Sequence, residues 1–242
     1  MDNQFVRAEA VLGEHAIQRL KSKHVMVFGL GGVGAACVEA LARGGVGHLS
    51  LIDNDTVQLS NLNRQLIALH STLGMRKTQA AFQRLKDIYP DIAVTQYPLF
   101  FSEETAESIE FSNVDYIIDA IDSVPSKIFL VKLAQQKKIP LLSCMGTGNK
   151  IDPSRLRFAD IYKTSVCPLC RAIRQRCRKE GIKKLTVLFS TENPVGASVK
   201  DGVSGRLSPG SLSYVPPIAG MMLAGRAILQ LSGFSDDSKA DS

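Results

Sequence analysis

The sequence opens on Met1-Asp2-Asn3-Gln4, which carries neither a basic nor an apolar region, so no secretory leader is expected. Its cysteines number five, an odd count for 242 residues, which predicts reduced thiols in a cytoplasmic protein and not a disulfide scaffold. No apolar stretch predicts a stable transmembrane insertion. The best candidate, residues 214–231, is interrupted by Arg226 and reads as a buried core helix that begins at Pro216-Pro217. Internal repeats are absent, and the four histidines form no cluster. What remains is an ordinary globular composition: 45% apolar residues, 21% charged residues and a mean hydropathy of +0.04. The length favours one large domain over two independent ones. Lys and Arg outnumber Asp and Glu by 29 to 23, and the net charge of +6 tilts the partner list toward a polyanion.

Hydrophobic patterning predicts an α/β fold: a Rossmann-like, mostly parallel sheet with helices on both faces. Strands are expected at residues 25–30, 48–52, 92–97, 114–118, 139–144 and 185–190. Helices are expected beyond the glycines through residues 37–42, then at 75–88, 103–109 and 126–136. Residues 149–164 mix turn residues with short strand-like pieces. A C-terminal extension then holds a basic helix (166–184), a Gly/Pro/Ser-rich mobile loop (192–209), the apolar helix and a polar flexible tail (235–242).

Gly29-Leu30-Gly31-Gly32-Val33-Gly34 lies where the first strand becomes a helix. There, backbone N–H groups and the helix N-terminus favour a phosphate. Asp53 closes the second strand nineteen residues beyond Gly34, the position of a carboxylate that takes ribose hydroxyls. Arg64 and Lys77 follow soon after, in Asp53-Asn54-Asp55-Thr56-Val57-Gln58-Leu59-Ser60-Asn61-Leu62-Asn63-Arg64-Gln65 and Gly74-Met75-Arg76-Lys77. A dinucleotide dehydrogenase has no need of two such cations, whereas attack on the α-phosphate of ATP requires a departing pyrophosphate to be stabilised. Asp119 and Asp122 stand at the end of the fourth strand, where ligands of open sheets bind, and one of them can hold Mg²⁺. Singly, Arg64 could pair with Asp55, Lys77 could be a solvated charge and Asp122 could cap a helix; jointly, the spacing favours one site.

These residues together resemble the adenylating enzymes related to ThiF, MoeB and the ubiquitin-activating enzymes, over about residues 5–150. The resemblance implies that Gly31 and Gly32, with Gly29 and Gly34 in the same loop, serve the ATP phosphates and Asp53 the ribose. Asn61, Arg64 and Lys77 would meet the phosphates, with Asp55 and Gln65 in the same pocket, and Asp122 would be the Mg²⁺ ligand. Arg7 matches an arginine that reaches ATP across a dimer interface, which implies a homodimer. Residues 1–242 then form a single adenylation domain, with an ATP-binding half (1–150), an extension for substrate, tRNA and dimer contacts (151–234), and the tail.

The second half narrows the resemblance. Phe189-Ser190-Thr191-Glu192, Asp122-Ser123-Val124, Pro168-Leu169 before a basic helix, and Ser213-Tyr214-Val215-Pro216-Pro217-Ile218-Ala219-Gly220 look like the tRNA threonylcarbamoyladenosine dehydratases. That likeness implies ATP-dependent activation of the threonyl carboxylate on a modified tRNA, then cyclisation with loss of water. Arg171, Arg174, Arg178, Lys179, Lys183 and Lys184 crowd the predicted basic helix and its exit, and can track tRNA phosphates. Alternatively, the run is a solvated basic face.

Cys167-Pro168-Leu169-Cys170 has zinc-ligand spacing, but the second such pair that MoeB-type relatives carry is missing, which argues against zinc. The relatives' link to sulfur transfer leaves a cysteine-desulfurase or sulfur-acceptor system among candidate partners, although no cysteine spacing demands a persulfide. A monovalent cation is a further candidate cofactor beside ATP and Mg²⁺. Three rivals remain: an adenylyltransferase for the C-terminal carboxylate of a ubiquitin-like sulfur carrier, a non-catalytic nucleotide-sensing or tRNA-binding module, and an NAD-dependent oxidoreductase.

Overall fold

The computed structural model describes residues 3–200 and 207–234, so the expected tail at 235–242 lies outside the described residues. Two short helices, α1 (Val6–Leu12) and α2 (Glu14–Lys21), precede the first strand. A seven-stranded sheet follows, built from β1 (His24–Phe28), β2 (His48–Ile52), β3 (Ala93–Tyr97), β4 (Tyr116–Asp119), β5 (Leu141–Cys144), β6 (Leu156–Asp160) and β7 (Thr186–Ser190). Its order is β3-β2-β1-β4-β5-β7-β6, parallel except for β6, which pairs antiparallel with β7 at the edge. The order reverses between β1 and β4, and a doubly wound sheet opens a crevice at such a switch point.

The sheet is covered on both faces, and residues of β1 alternate between the two cores. Val25 and Val27 pack with α2, α3 (Gly32–Arg43), α4 (Lys77–Ile88) and the C-terminal helix α7 (Val215–Ser232). Met26 and Phe28 pack instead with α5 (Val124–Lys137) and with Phe101 and Phe111 from the segment before β4. A third cluster joins α5 and β7 to α6 (Pro168–Lys179). Strands buried on both sides explain the unbroken apolar runs.

Three expectations are corrected. Residues 103–109 do not form a helix beyond a 3-10 turn at Ala106–Ser108. There Thr105 Oγ1 donates to Phe100 O at 2.7 Å and accepts from Ser102 N–H at 3.0 Å, local bonds that compete with helix formation. The basic helix stops at Lys179, because Gly181 turns the chain at φ +69°, leaving Lys183 and Lys184 on the connection to β7. Within residues 192–209, a small hairpin of β8 (Ser198–Lys200) and β9 (Leu207–Pro209) stands where a loop alone was expected.

Candidate active site

A cavity of about 670 Å³ opens at the switch point, within the usual range for small-molecule sites. Its floor comes from the residues that follow the parallel strands: Gly29, Gly31 and Gly32 after β1, Asp53 after β2, Asp122 after β4 and Gly146 after β5.

The glycines divide by role. Gly29 adopts φ +88°, and a side chain there would stand 2.7 Å from the Ala120 carbonyl; at Gly34 an added carbon would meet Gly29 O at 1.8 Å. These two make the turn and let α3 approach it, and Gly34 itself does not line the cavity. Gly31 is different: nothing lies within 4 Å of where its side chain would be, so it leaves room for a ligand. Gly32 abuts Pro216 and the Arg64 side chain.

Asp53 receives Leu30 N–H on Oδ2 at 2.6 Å and Asp55 N–H on Oδ1 at 2.8 Å, which fixes its carboxylate at the mouth of the glycine turn. Burial pushes its pKa up, against the pull of the Lys77 ammonium and both N–H donors. Lys77, buried in the first turn of α4, donates to Asp55 Oδ2 at 2.7 Å. Arg64 donates to Ser60 O and Asn63 Oδ1, and partial burial lowers the pKa of its guanidinium. Asn61 is buried, and its Oδ1 accepts from Gln58 N–H. Gln65 lines the same wall, and its buried Oε1 is the one buried side-chain polar atom without a partner among the described residues. Such an orphan in a cavity wall is suited to a ligand donor.

The two carboxylates after β4 part company. Asp119 is fully buried, and its Oδ2 accepts from Lys127 Nζ at 3.0 Å and Ser143 Oγ at 2.5 Å, while Oδ1 accepts from Ile121 N–H at 3.1 Å. It ties β4, α5 and β5 together. Asp122 is exposed to the cavity and makes no hydrogen bond to other described residues; Ser123, not Asp122, is the N-cap of α5. Among the described residues, no group of three or more His, Cys, Asp or Glu side chains could hold a metal ion, so a cation at Asp122 would take most of its oxygens from water or a ligand.

Sequence reasoning missed the roof. Met145, Thr147, Gly148, Ser208, Pro209, Ser211 and Pro216 also line the cavity. Asn149 N–H donates to Gly210 O at 2.7 Å, and Asn63 Nδ2 to Ser211 O at 2.9 Å, so the segment after β9 is fastened over the site from both sides. The glycines just beyond β5 were the available signal. The second-half motifs serve this closure. Glu192 accepts from Ile151 and Asp152 N–H, Lys150 Nζ donates to Glu192 O, Tyr214 Oη donates to Ile151 O at 2.9 Å, and Pro216 meets Gly32.

Other expected site residues lie elsewhere. Arg7 is exposed on α1 and does not line this chain's own cavity. Arg171, Arg178, Lys179, Lys183 and Lys184 are exposed. Arg174 departs from its expected role, because its guanidinium donates to Thr164 Oγ1 at 2.7 Å and Thr164 O at 3.1 Å and is committed to holding the turn before α6. Cys170 and Cys177 face the core from the same helix, spaced for that buried stripe.

The chain belongs to the ThiF family, whose model matches residues 4–241. It is 40% identical over 242 residues to the tRNA threonylcarbamoyladenosine dehydratase of Bacillus subtilis (strain 168), covering 96% of this chain and 95% of that one. The structure of the Escherichia coli tRNA N6-threonylcarbamoyladenosine dehydratase, TcdA, in complex with ATP superposes with a TM-score of 0.86 at 31% identity, covering 99% of this chain and 96% of that one. The same enzyme in complex with AMP gives 0.86 at 32% identity, over 95% and 94% of the two chains. No helix among the described residues is long and apolar enough to cross a membrane.

Proposed function

We propose that this protein is an ATP-dependent tRNA threonylcarbamoyladenosine dehydratase acting in the cytoplasm. The observation that carries the reading is the convergence of Gly31, Gly32, Asp53, Arg64, Lys77 and Asp122 on one cavity at the sheet's switch point. The open space at Gly31 and the orphaned Gln65 Oε1 fit a nucleotide there.

A carboxylate is a poor electrophile at neutral pH. Attack by the threonyl carboxylate on the α-phosphate of ATP gives a mixed anhydride with AMP and releases pyrophosphate. Arg64 and Lys77 supply positive charge where the departing pyrophosphate develops negative charge. Asp53 holds the ribose, and Asn61 and Gln65 line the phosphate wall. Asp122 offers oxygens to Mg²⁺, which neutralises phosphate charge when bound. The neighbouring carbamoyl group then closes onto the activated carbonyl and expels AMP, so the product is one water lighter. Closure within one molecule has a high effective molarity, and no enzyme nucleophile is required.

The exposed cations around α6 are assigned to tRNA phosphates. Arg7 is assigned to the site of a second copy, since it stands on α1 between the exposed apolar side chains of Val6 and Val11. Mixing Arg7→Ala and Arg64→Ala proteins, each inactive alone, is then expected to restore part of the activity through hybrid dimers.

The test of the reaction is mass spectrometry of nucleosides from threonylcarbamoyl-modified tRNA incubated with the protein, ATP and Mg²⁺. Loss of one water that needs ATP and is absent in Arg64→Ala is expected. An unchanged nucleoside with folded, ATP-binding protein would overturn the reading and redirect the search to carrier-protein carboxylates.

A further inference from the structure

The Cys167-Pro168-Leu169-Cys170 motif takes no part in the proposed reaction. Cys167 is the N-cap residue of α6 and Cys170 lies in its first turn, and both thiols are free. Side chains three apart on a helix have Cβ atoms about 5–6 Å apart, and a disulfide needs about 3.5–4.5 Å, so a modest rotation of the N-cap residue brings the sulfurs together. Both side chains are buried in one apolar cluster between α5, α6 and β7. The neighbouring Cys170 holds the Cys167 pKa below the usual thiol range, while Cys167 and burial push that of Cys170 up. Cys167, at the helix N-cap and slightly exposed, is the member an oxidant reaches first, and the fully buried Cys170 is the one placed to resolve it. Cys37, Cys144 and Cys177 are all pushed up by burial, so the pull on Cys167 is confined to this motif.

Two further features place the pair. Immediately before it, the exposed Val166 adopts φ +62°, a conformation disfavoured for a β-branched residue. Immediately behind it, Gly146 and Leu169 form part of the cavity wall. Cys167 is only 4% exposed, which excludes a bulky oxidant and admits a small one.

We propose that Cys167 and Cys170 form a peroxide-responsive dithiol behind the wall of the nucleotide cavity, closing to an intrachain disulfide that weakens nucleotide binding. The Cys167 thiolate attacks one peroxide oxygen, giving a sulfenic acid and releasing hydroxide, which takes a proton to become water. The Cys170 thiol then attacks the sulfenic sulfur, a second water leaves, and the S–S bond forms. Two thiols are oxidised and one hydrogen peroxide is reduced to two waters. A dithiol reductant restores the pair.

The experiment is a titration of the full-length protein with low concentrations of hydrogen peroxide, followed by alkylation and peptide mass mapping. A Cys167–Cys170 cross-link, formed before the other cysteines react and reversed by dithiothreitol, is expected. In Cys170→Ser, a dimedone adduct should appear at Cys167 instead. Oxidation of Cys167 no faster than Cys37, Cys144 and Cys177 would overturn the proposal, as would a cross-link from Cys167 to Cys144. Calorimetry with ATP should show several-fold weaker binding to the oxidised protein and no such loss in peroxide-treated Cys170→Ser; equal affinities would remove the link to the cavity. That readout rests on the nucleotide reading, whereas the cross-link does not. Failure of the reduced protein to bind ATP would count against the function and leave the mapping to decide the dithiol.

Discussion

The ammonium of Lys77, buried in the first turn of α4, sits 2.7 Å from Asp55 Oδ2, whose side chain is 59% exposed. Both line the cavity, the lysine buried and the aspartate largely solvated. Under the proposed function a triphosphate would displace Asp55, which can rehydrate at little cost, and Lys77 would pair with phosphate instead. Substituting Lys77→Met keeps the buried stem and removes only the charge. Because one side of this pair is solvated, stability should change by no more than about 1 kcal/mol. Pyrophosphate exchange should fall by about 10²-fold or more, the usual cost of a lost transition-state donor. Urea unfolding beside an exchange assay checks both, and unaltered exchange would remove Lys77 from the site.

The Lys127–Asp119 pair is the opposite case, with both side chains essentially inaccessible. Lys127 Nζ also donates to Cys144 O at 2.8 Å, so its loss strips three acceptors at once. Lys127→Met leaves a buried carboxylate without its counter-ion and should cost about 3–5 kcal/mol. Adding Asp119→Asn should recover part of that loss. A double mutant no more stable than Lys127→Met would mean that Asp119 does not carry the cost.

The first half of this architecture was legible because each strand is a short apolar run that ends at a chemically distinct residue. Phe28 gives way to Gly29, Ile52 to Asp53 and Asp119 to the turn that carries Asp122, and the parallel order brings all three to one crevice. The roof was not legible, since Gly210 and Ser211 are fastened there by their carbonyls, which accept from the Asn149 backbone N–H and the Asn63 side-chain amide, both distant in sequence. Composition also could not separate Arg174 from its neighbours on the basic helix; only the position of Thr164 does so. Residue type and position alone do not separate Asp119 from Asp122; Lys127, a helical turn and more beyond, does.

His24 and His48 stack at 3.6 Å between ring centroids, on neighbouring strands, and their Nε2 atoms bond to Ser50 and Thr95 hydroxyls. Burial, then the His48 charge, lowers the His24 pKa to about 4, while the Asn113 carbonyl and Asp115 pull weakly upward. The unfolded chain binds this proton near pH 6.5, so the folded state loses stability as pH falls from about 6.5 to about 4, by at most about 3 kcal/mol. His24→Gln keeps a hydrogen-bonding side chain for Ser50 without this titration. Its stability should decline less steeply than wild type over that window, as measured by urea unfolding at stepped pH; parallel curves would refute the assignment.

The exposed cations at and beyond α6 should behave differently from the one that is structurally committed. Lys183 and Lys184 are exposed on the connection to β7, with no salt bridge among the described residues, so each is available to a phosphate. Replacing both with alanine should leave folding unchanged, weaken tRNA binding uniformly across tRNA sequences, and reduce the salt-dependence slope by about one per lost contact. Arg174→Ala should do the reverse: the carbonyl and hydroxyl of Thr164 lose their donor, so stability falls while the slope holds. Filter binding at several salt concentrations beside thermal melts separates the two outcomes. A slope unchanged in the double lysine variant would move the tRNA face away from this end of the sheet, because charges that contact phosphate must release counter-ions when they bind.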